Sequence, residues 1–227
     1  MRSLVLINEL VRDRKEFVSR SLNQGLSLRE NATLLVASVF FYAIYGIIIG
    51  ANHSPLQAGI SGLKLPLLFI ITSLICFPTL YFFLSVLGLK QTAGQLFSFM
   101  LFCVNSMSIV LAVFTPITLF FLVTTDDYLF FKLLNVAIFS VAGIVGLGSF
   151  YKNIHASIKN IGELSDRTKA IIFLNLWLVM FAFVGCQLSY TLSPFFGDPG
   201  LPVILFTDAK DGFYTDVIQS VRSMLNR

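Results

Sequence analysis

Charged side chains are nearly absent from five long segments of this sequence of 227 residues. Only 12% of the residues are charged and 56% are hydrophobic, whereas soluble domains carry about 25% charged residues. Each segment is long enough to cross a hydrocarbon core of ~30 Å as a helix, and none has Asp, Glu, Arg or His in its middle. The segments are Thr33–Ala51, Leu65–Leu87, Leu96–Val123, Leu129–Tyr151 and Lys169–Leu192. The sequence therefore predicts a polytopic membrane protein.

The scarcity of charge also excludes classes of function. Pumps, proton relays and many coupled transporters need ionisable residues inside the membrane. The net charge of +4 is small and dispersed, which disfavours nucleic-acid binding. The sequence has no GxSxG, HExxH or Walker motif, and no GxGxxG that follows a strand. We therefore expect neither an enzyme nor a nucleic-acid partner.

Residues that bind metals or cofactors are few. Cys76, Cys103 and Cys186 lie far apart inside apolar segments, and small packing residues are the ordinary role of such cysteines. The two histidines, His53 and His155, fall on opposite sides of the membrane in a five-span chain. The sequence therefore predicts no metal site, no disulfide framework and no cofactor.

Lysine and arginine are distributed unevenly around the five predicted spans. The N-terminal segment, the turn after the second span and the connection between the fourth and fifth spans share one side. That side holds eleven of the 16 basic residues, namely Arg2, Arg12, Arg14, Lys15, Arg20, Arg29, Lys90, Lys152, Lys159, Arg167 and Lys169. Because basic residues favour the cytoplasm, we expect a cytoplasmic N-terminus and a periplasmic or lumenal C-terminus, in a bacterial inner membrane or an equivalent internal membrane.

The predicted fold is all-α: a five-span transmembrane bundle with an amphipathic helix at each end. Its parts are a cytoplasmic segment (1–31), a transmembrane domain (32–193) and an extracytoplasmic segment (194–227). The N-terminal helix is expected to lie on the membrane surface or on a partner, with Gly25 ending it and Asn31 capping the first span. Its apolar residues are Leu4, Ile7, Val11, Val18 and Leu22.

The C-terminal segment begins with Ser193-Pro194 and further prolines and glycines, which predict a non-helical excursion. A short amphipathic helix is expected to follow it on the outer membrane surface or against a partner. The apolar face of that helix is formed by Phe213, Val217, Val221 and Leu225.

Prolines predict bends within two spans, and a pair of acidic residues predicts the start of another. Pro116 in the third span and Pro78 in the second predict bends, and the threonines beside Pro116 can satisfy the carbonyl that it frees. Asp126 and Asp127 precede the fourth span. They are interpreted as a helix cap, with cation binding as the alternative.

Small residues predict where helices pack closely. Gly46 and Gly50 form a GxxxG pattern in the first span, and Ala142 and Gly146 belong to a small-residue face in the fourth. In lipid such faces let helix backbones approach. Packing within the bundle is the favoured interpretation, and contact with another subunit is the alternative.

Four amide side chains fall in or near the membrane: Asn105, Asn135, Asn175 and Gln187. We interpret them as hydrogen-bonded links between helices, at about 0.5–2 kcal/mol each. The alternative is that they line a polar path for a small solute.

Several stretches together resemble a family of multi-span membrane proteins that is widespread in bacteria, including photosynthetic ones. The stretches are Phe40–Gly46, Lys64–Pro66, Ile75–Tyr81, Thr115–Phe121, Phe183–Leu188 and Ser193–Gly200. Some members carry an actin-binding label, but no residue pattern in this chain points to actin. The resemblance implies a multi-span membrane fold and brings no site residues. The five-span layout is also similar to that of Yip-domain membrane proteins.

These observations favour a non-catalytic protein that acts by binding. The leading hypothesis is an accessory, assembly or scaffold subunit of a larger membrane complex, in contact with the lipid bilayer and with a membrane protein partner or a second copy. The alternative is a channel or an uncoupled transporter.

Overall fold

The computed structural model describes residues 26–51, 54–125, 127–159, 161–162, 164–193, 195 and 213–225, and within them it is helical without strands. These residues form six helices, which are α1 (Leu28–Gly50), α2 (Pro55–Val86), α3 (Ala93–Thr124), α4 (Tyr128–Ile158), α5 (Leu164–Thr191) and α6 (Phe213–Leu225).

Five of the helices, α1 to α5, are long and apolar enough to cross a membrane. This confirms the predicted all-α class and the five spans. Most of the helices extend beyond the apolar segments: α2 begins ten residues before Leu65, and α4 continues seven residues past Tyr151. Apolar length determines what lies in hydrocarbon, whereas local capping determines where the helix ends.

Side-chain caps set the helix starts. Ser27 and Glu30 form a reciprocal capping box at α1, so the prediction that Asn31 caps this helix was wrong. Ser54 caps α2 directly before Pro55, and proline is favoured at the first helical position. At α4 the Oδ1 atom of Asp127 accepts hydrogen bonds from the backbone N–H groups of residues 129 and 130, at 2.9 and 3.3 Å, which confirms the predicted cap.

A glycine closes α2. Gly88 has φ of 87°, a left-handed conformation that costs glycine little. The N–H of Leu89 donates to Leu84 O at 2.9 Å, and the N–H of Gly88 donates to Ser85 O at 3.1 Å. This bonding is a Schellman motif, and it turns the chain into α3.

The first half of α3 occupies the centre of the bundle. Every residue from 98 to 108 is buried, including the polar residues Ser98, Asn105, Ser106 and Ser108. Helices α1 and α4 pack against α3, and α1 also packs against α2. The second half of α3 is more open, with Val113, Phe120 and Val123 exposed.

Helix α5 is attached to the bundle through α2 and α4. The indole N–H of Trp177 donates to the carbonyl of Cys76 in α2 at 3.1 Å, and the Trp177 ring lies 5.2 Å from that of Phe150 in α4. Cys76 and Cys103 are buried free thiols, and Cys186 is half-buried.

The prolines lie inside continuous helices. Pro116 is within α3, and Pro78 is within α2, together with Pro66. The threonines beside Pro116 do not satisfy the carbonyl that it frees, which belongs to residue 112. Instead, the Thr115 hydroxyl donates to Leu111 O at 3.1 Å, and the Thr118 Oγ1 atom lies 3.2 Å from Phe114 O.

The predicted N-terminal amphipathic helix lies outside the described residues, as does most of the predicted C-terminal excursion. Helix α6 lies where the short C-terminal helix was expected and packs against α4 and α5. Its amphipathic role at a surface stays a prediction.

Cysteine labelling tests the arrangement of the spans. In a variant whose native cysteines are replaced by serine, we expect an impermeant maleimide added outside the cell to label Thr125→Cys but not Lys90→Cys. These positions flank opposite ends of α3, and the basic residues favour a cytoplasmic Lys90. Lys159→Cys is the control on the side of Lys90. Equal labelling at positions 90 and 125 in intact cells would contradict the five-span arrangement.

Candidate functional site: polar and small residues between the helices

The glycines of α1 lie where α1 crosses α2. A Cβ atom at Gly50 would lie 2.6 Å from Gln57 O and 2.8 Å from Ala58 Cα, and one at Gly46 would lie 2.9 Å from Gly62 Cα. Real Cβ atoms do not approach backbone so closely. The two backbones are therefore in contact, which is how glycine pairs promote helix association in lipid.

The small residues of α4 divide between two surfaces. Ala142 is buried, and a Cβ atom at Gly146 would lie 2.9 Å from Met107 Cε and 3.1 Å from Cys103 O of α3. Gly143 and Gly148 have open space around a Cβ atom. Only part of the predicted small-residue face is therefore used where α4 packs on α3.

Asn105 links α3 to α1. Its side chain is buried, and its Nδ2 atom donates to Ser38 Oγ at 3.1 Å and to Leu34 O at 3.4 Å. Nearby, the Tyr42 hydroxyl of α1 donates to Val104 O of α3 at 2.8 Å. These bonds fix the depth of α1 relative to α3.

Asn135 belongs to a network that joins three helices. The Tyr45 hydroxyl of α1 donates to Asn135 Oδ1 of α4 at 2.7 Å, and the Thr118 hydroxyl of α3 donates to the Tyr45 oxygen at 3.2 Å. Asn135 Nδ2 donates to Phe131 O at 2.8 Å. Tyr45, Thr118 and Asn135 are all fully buried, so the network lies within the bundle.

The other two predicted amides lie apart from this network. Asn175 is exposed on α5, and Gln187 is half-buried near the end of the same helix. The structure therefore does not bring Asn105, Asn135, Asn175 and Gln187 onto one shared surface.

Polar residues also gather at the start of α2. The Gln57 amide donates to Ser61 Oγ at 3.3 Å, and the Ser61 hydroxyl donates to Phe195 O at 2.6 Å. Lys64, which directly precedes the predicted second span, is buried within α2. Sequence reasoning missed this group because α2 begins well before the apolar segment.

The described residues contain no group of three or more His, Cys, Asp or Glu placed to hold a metal ion. The polar groups that bond α1, α3 and α4 to one another are neutral hydroxyls, amides and backbone carbonyls. Their chemistry is that of hydrogen bonds between helices, which hold helices at fixed depths and rotations.

No protein-family model, curated protein or solved structure matches this chain.

The Gly50 contact predicts a steric effect on stability. Gly50→Val should destabilise the folded protein by about 1–3 kcal/mol, because the added side chain must displace the α2 backbone. Gly59→Val is the matched control, since a Cβ atom there meets nothing within 4 Å. Thermal unfolding in detergent micelles measures both. Equal effects at the two glycines would contradict the close crossing.

The three-helix network predicts the effect of removing one hydroxyl. Tyr45→Phe should lower stability by about 0.5–2 kcal/mol, because Asn135 Oδ1 loses its donor inside the bundle. Tyr81→Phe is the control, since Tyr81 is exposed on α2. A double-mutant cycle with Asn135→Leu should show coupling between positions 45 and 135. Strictly additive losses would show that the bond contributes nothing.

Proposed function

We propose that this protein is a non-catalytic subunit of a larger membrane complex and acts as an accessory, assembly or scaffold component. The observation that carries the proposal is that two buried asparagines of the spans are hydrogen-bonded to other helices. Asn105 and Asn135 bond to other helices through short, direct hydrogen bonds, so these polar groups serve the bundle itself.

The outer surface supports action by binding. Large apolar side chains are exposed along each of the five spans, and surfaces of this kind contact lipid or the apolar helices of other membrane proteins. Connections between the spans are short, so the described part of the chain presents mainly helix faces to its surroundings. A partner of the described part of the chain would therefore meet it mainly within the membrane.

The channel hypothesis has less support. It requires the four predicted amides to line one path, but Asn105 and Asn135 are buried in bonds between helices while Asn175 is exposed on α5. Neutral amides that are already paired would have to break those bonds to serve a passing solute.

Affinity purification tests the proposal. The tagged full chain is extracted in mild detergent, and the proteins that accompany it are identified and quantified by mass spectrometry. We expect a membrane protein or complex at fixed stoichiometry, with reduced abundance of that complex when the chain is deleted. A chain that purifies without any other protein and whose deletion leaves every membrane complex unchanged would overturn the proposal.

A further inference from the structure

One face of α5 is turned away from the bundle. The residues of α5 that are buried are Ala170, Leu174, Trp177 and Phe181. On the opposite side, Ile172, Asn175, Val179 and Ala182 are exposed. Among the five spans, α5 also has the smallest buried share of its apolar window. This exposed set, which we name the α5 stripe, is therefore open to the membrane.

Asn175 is the unusual member of the α5 stripe. It lies within one helical turn of the midpoint of α5 and makes no hydrogen bond through its side chain to any described residue. Asn105 and Asn135, two other asparagines within the spans, are both buried and bonded. Lipid tails offer no hydrogen-bond partner, so an amide that faces them is unfavourable.

We propose that a second copy of this chain packs on the α5 stripe, with the two Asn175 amides hydrogen-bonded to each other. Copies related by a two-fold axis along the membrane normal place the same residue at the same depth. An amide both donates and accepts, so the two side chains satisfy one another. A different partner would need its own polar group at that depth.

The spacing of the α5 stripe fits this arrangement. Its residues follow one another at intervals of three, four and three, the pattern by which two helices pack with a left-handed crossing. A single asparagine in such a seam sets the register and number of chains. Ala182 is small, which allows the helices to approach closely at one end.

Helix α6 limits the length of the interface. The ring of Tyr214 lies 6.1 Å from that of Phe183, so α6 lies beside α5 just beyond Ala182. The open part of the stripe therefore runs from Ile172 to Ala182, about three helical turns, with Asn175 inside it.

Disulfide cross-linking in native membranes gives the first test. The full-length chain carries Cys186→Ser together with Val179→Cys or Ala182→Cys, and mild oxidation traps neighbouring copies. We expect covalent dimers from both stripe variants. Val113→Cys, exposed on α3, is the matched control and should stay monomeric. Absence of dimers from the stripe variants, or equal dimer formation at position 113, would overturn the proposal.

Changing the amide gives the second test. Full-length chains labelled with fluorophores are reconstituted in phosphatidylcholine–phosphatidylglycerol vesicles, and photobleaching steps give the monomer–dimer Kd. Asn175→Leu should raise the Kd about 3- to 30-fold, whereas Asn175→Gln, which keeps the amide, should restore most of the affinity. A monomeric wild type, or a dimer whose Kd is insensitive to Asn175→Leu, would overturn the proposal.

This inference goes beyond the proposed function, and its test is separate. Pure reconstituted protein reports self-association whether or not another subunit exists in the cell. Purification from cells reports other subunits whether or not the chain dimerises.

Discussion

Hydrocarbon offers no hydrogen-bond partner, and the arrangement of the bundle follows from that constraint. Apolar contact alone cannot select which helix surfaces meet, because lipid tails are as apolar as leucine. Selection comes instead from paired polar groups and from close backbone approach. Asn105 holds α3 to α1, Tyr45 holds α1 to α4, and Gly50 lets α1 lie against α2.

The sequence predicted the number and approximate positions of the spans because their apolar length is a direct requirement of the membrane. It did not locate the helix ends, which depend on capping residues outside the apolar segments. The capping box of Ser27 and Glu30 has the spacing typical of a helix start, but it lies before Asn31, the residue next to the apolar segment that was predicted as the cap. For the same reason the second span was predicted to start at Leu65, so that Lys64 fell outside it.

The candidate residues were predictable by type, but their partners were not. Asparagine in a span signals a hydrogen bond between helices, and this describes Asn105 and Asn135; yet nothing in the sequence separates them from Asn175, which is exposed. The reason is physical: a membrane helix is apolar on its lipid side and on its protein side, so periodicity does not identify the buried face. The role of Tyr45 was not predicted, because aromatic residues are common in the spans and its hydrogen bonds depend on two residues distant in sequence.

Trp177 is the only tryptophan of the chain, and it is buried where α5 meets α2, with its indole N–H bonded to the carbonyl of Cys76. When the protein is excited at 295 nm, its intrinsic fluorescence therefore comes from this one indole. Separation of α5 from α2 breaks the hydrogen bond to Cys76, which changes the surroundings of the indole. Trp177 is thus an intrinsic fluorescent probe of the contact between α5 and α2, and no added label is needed to follow their separation.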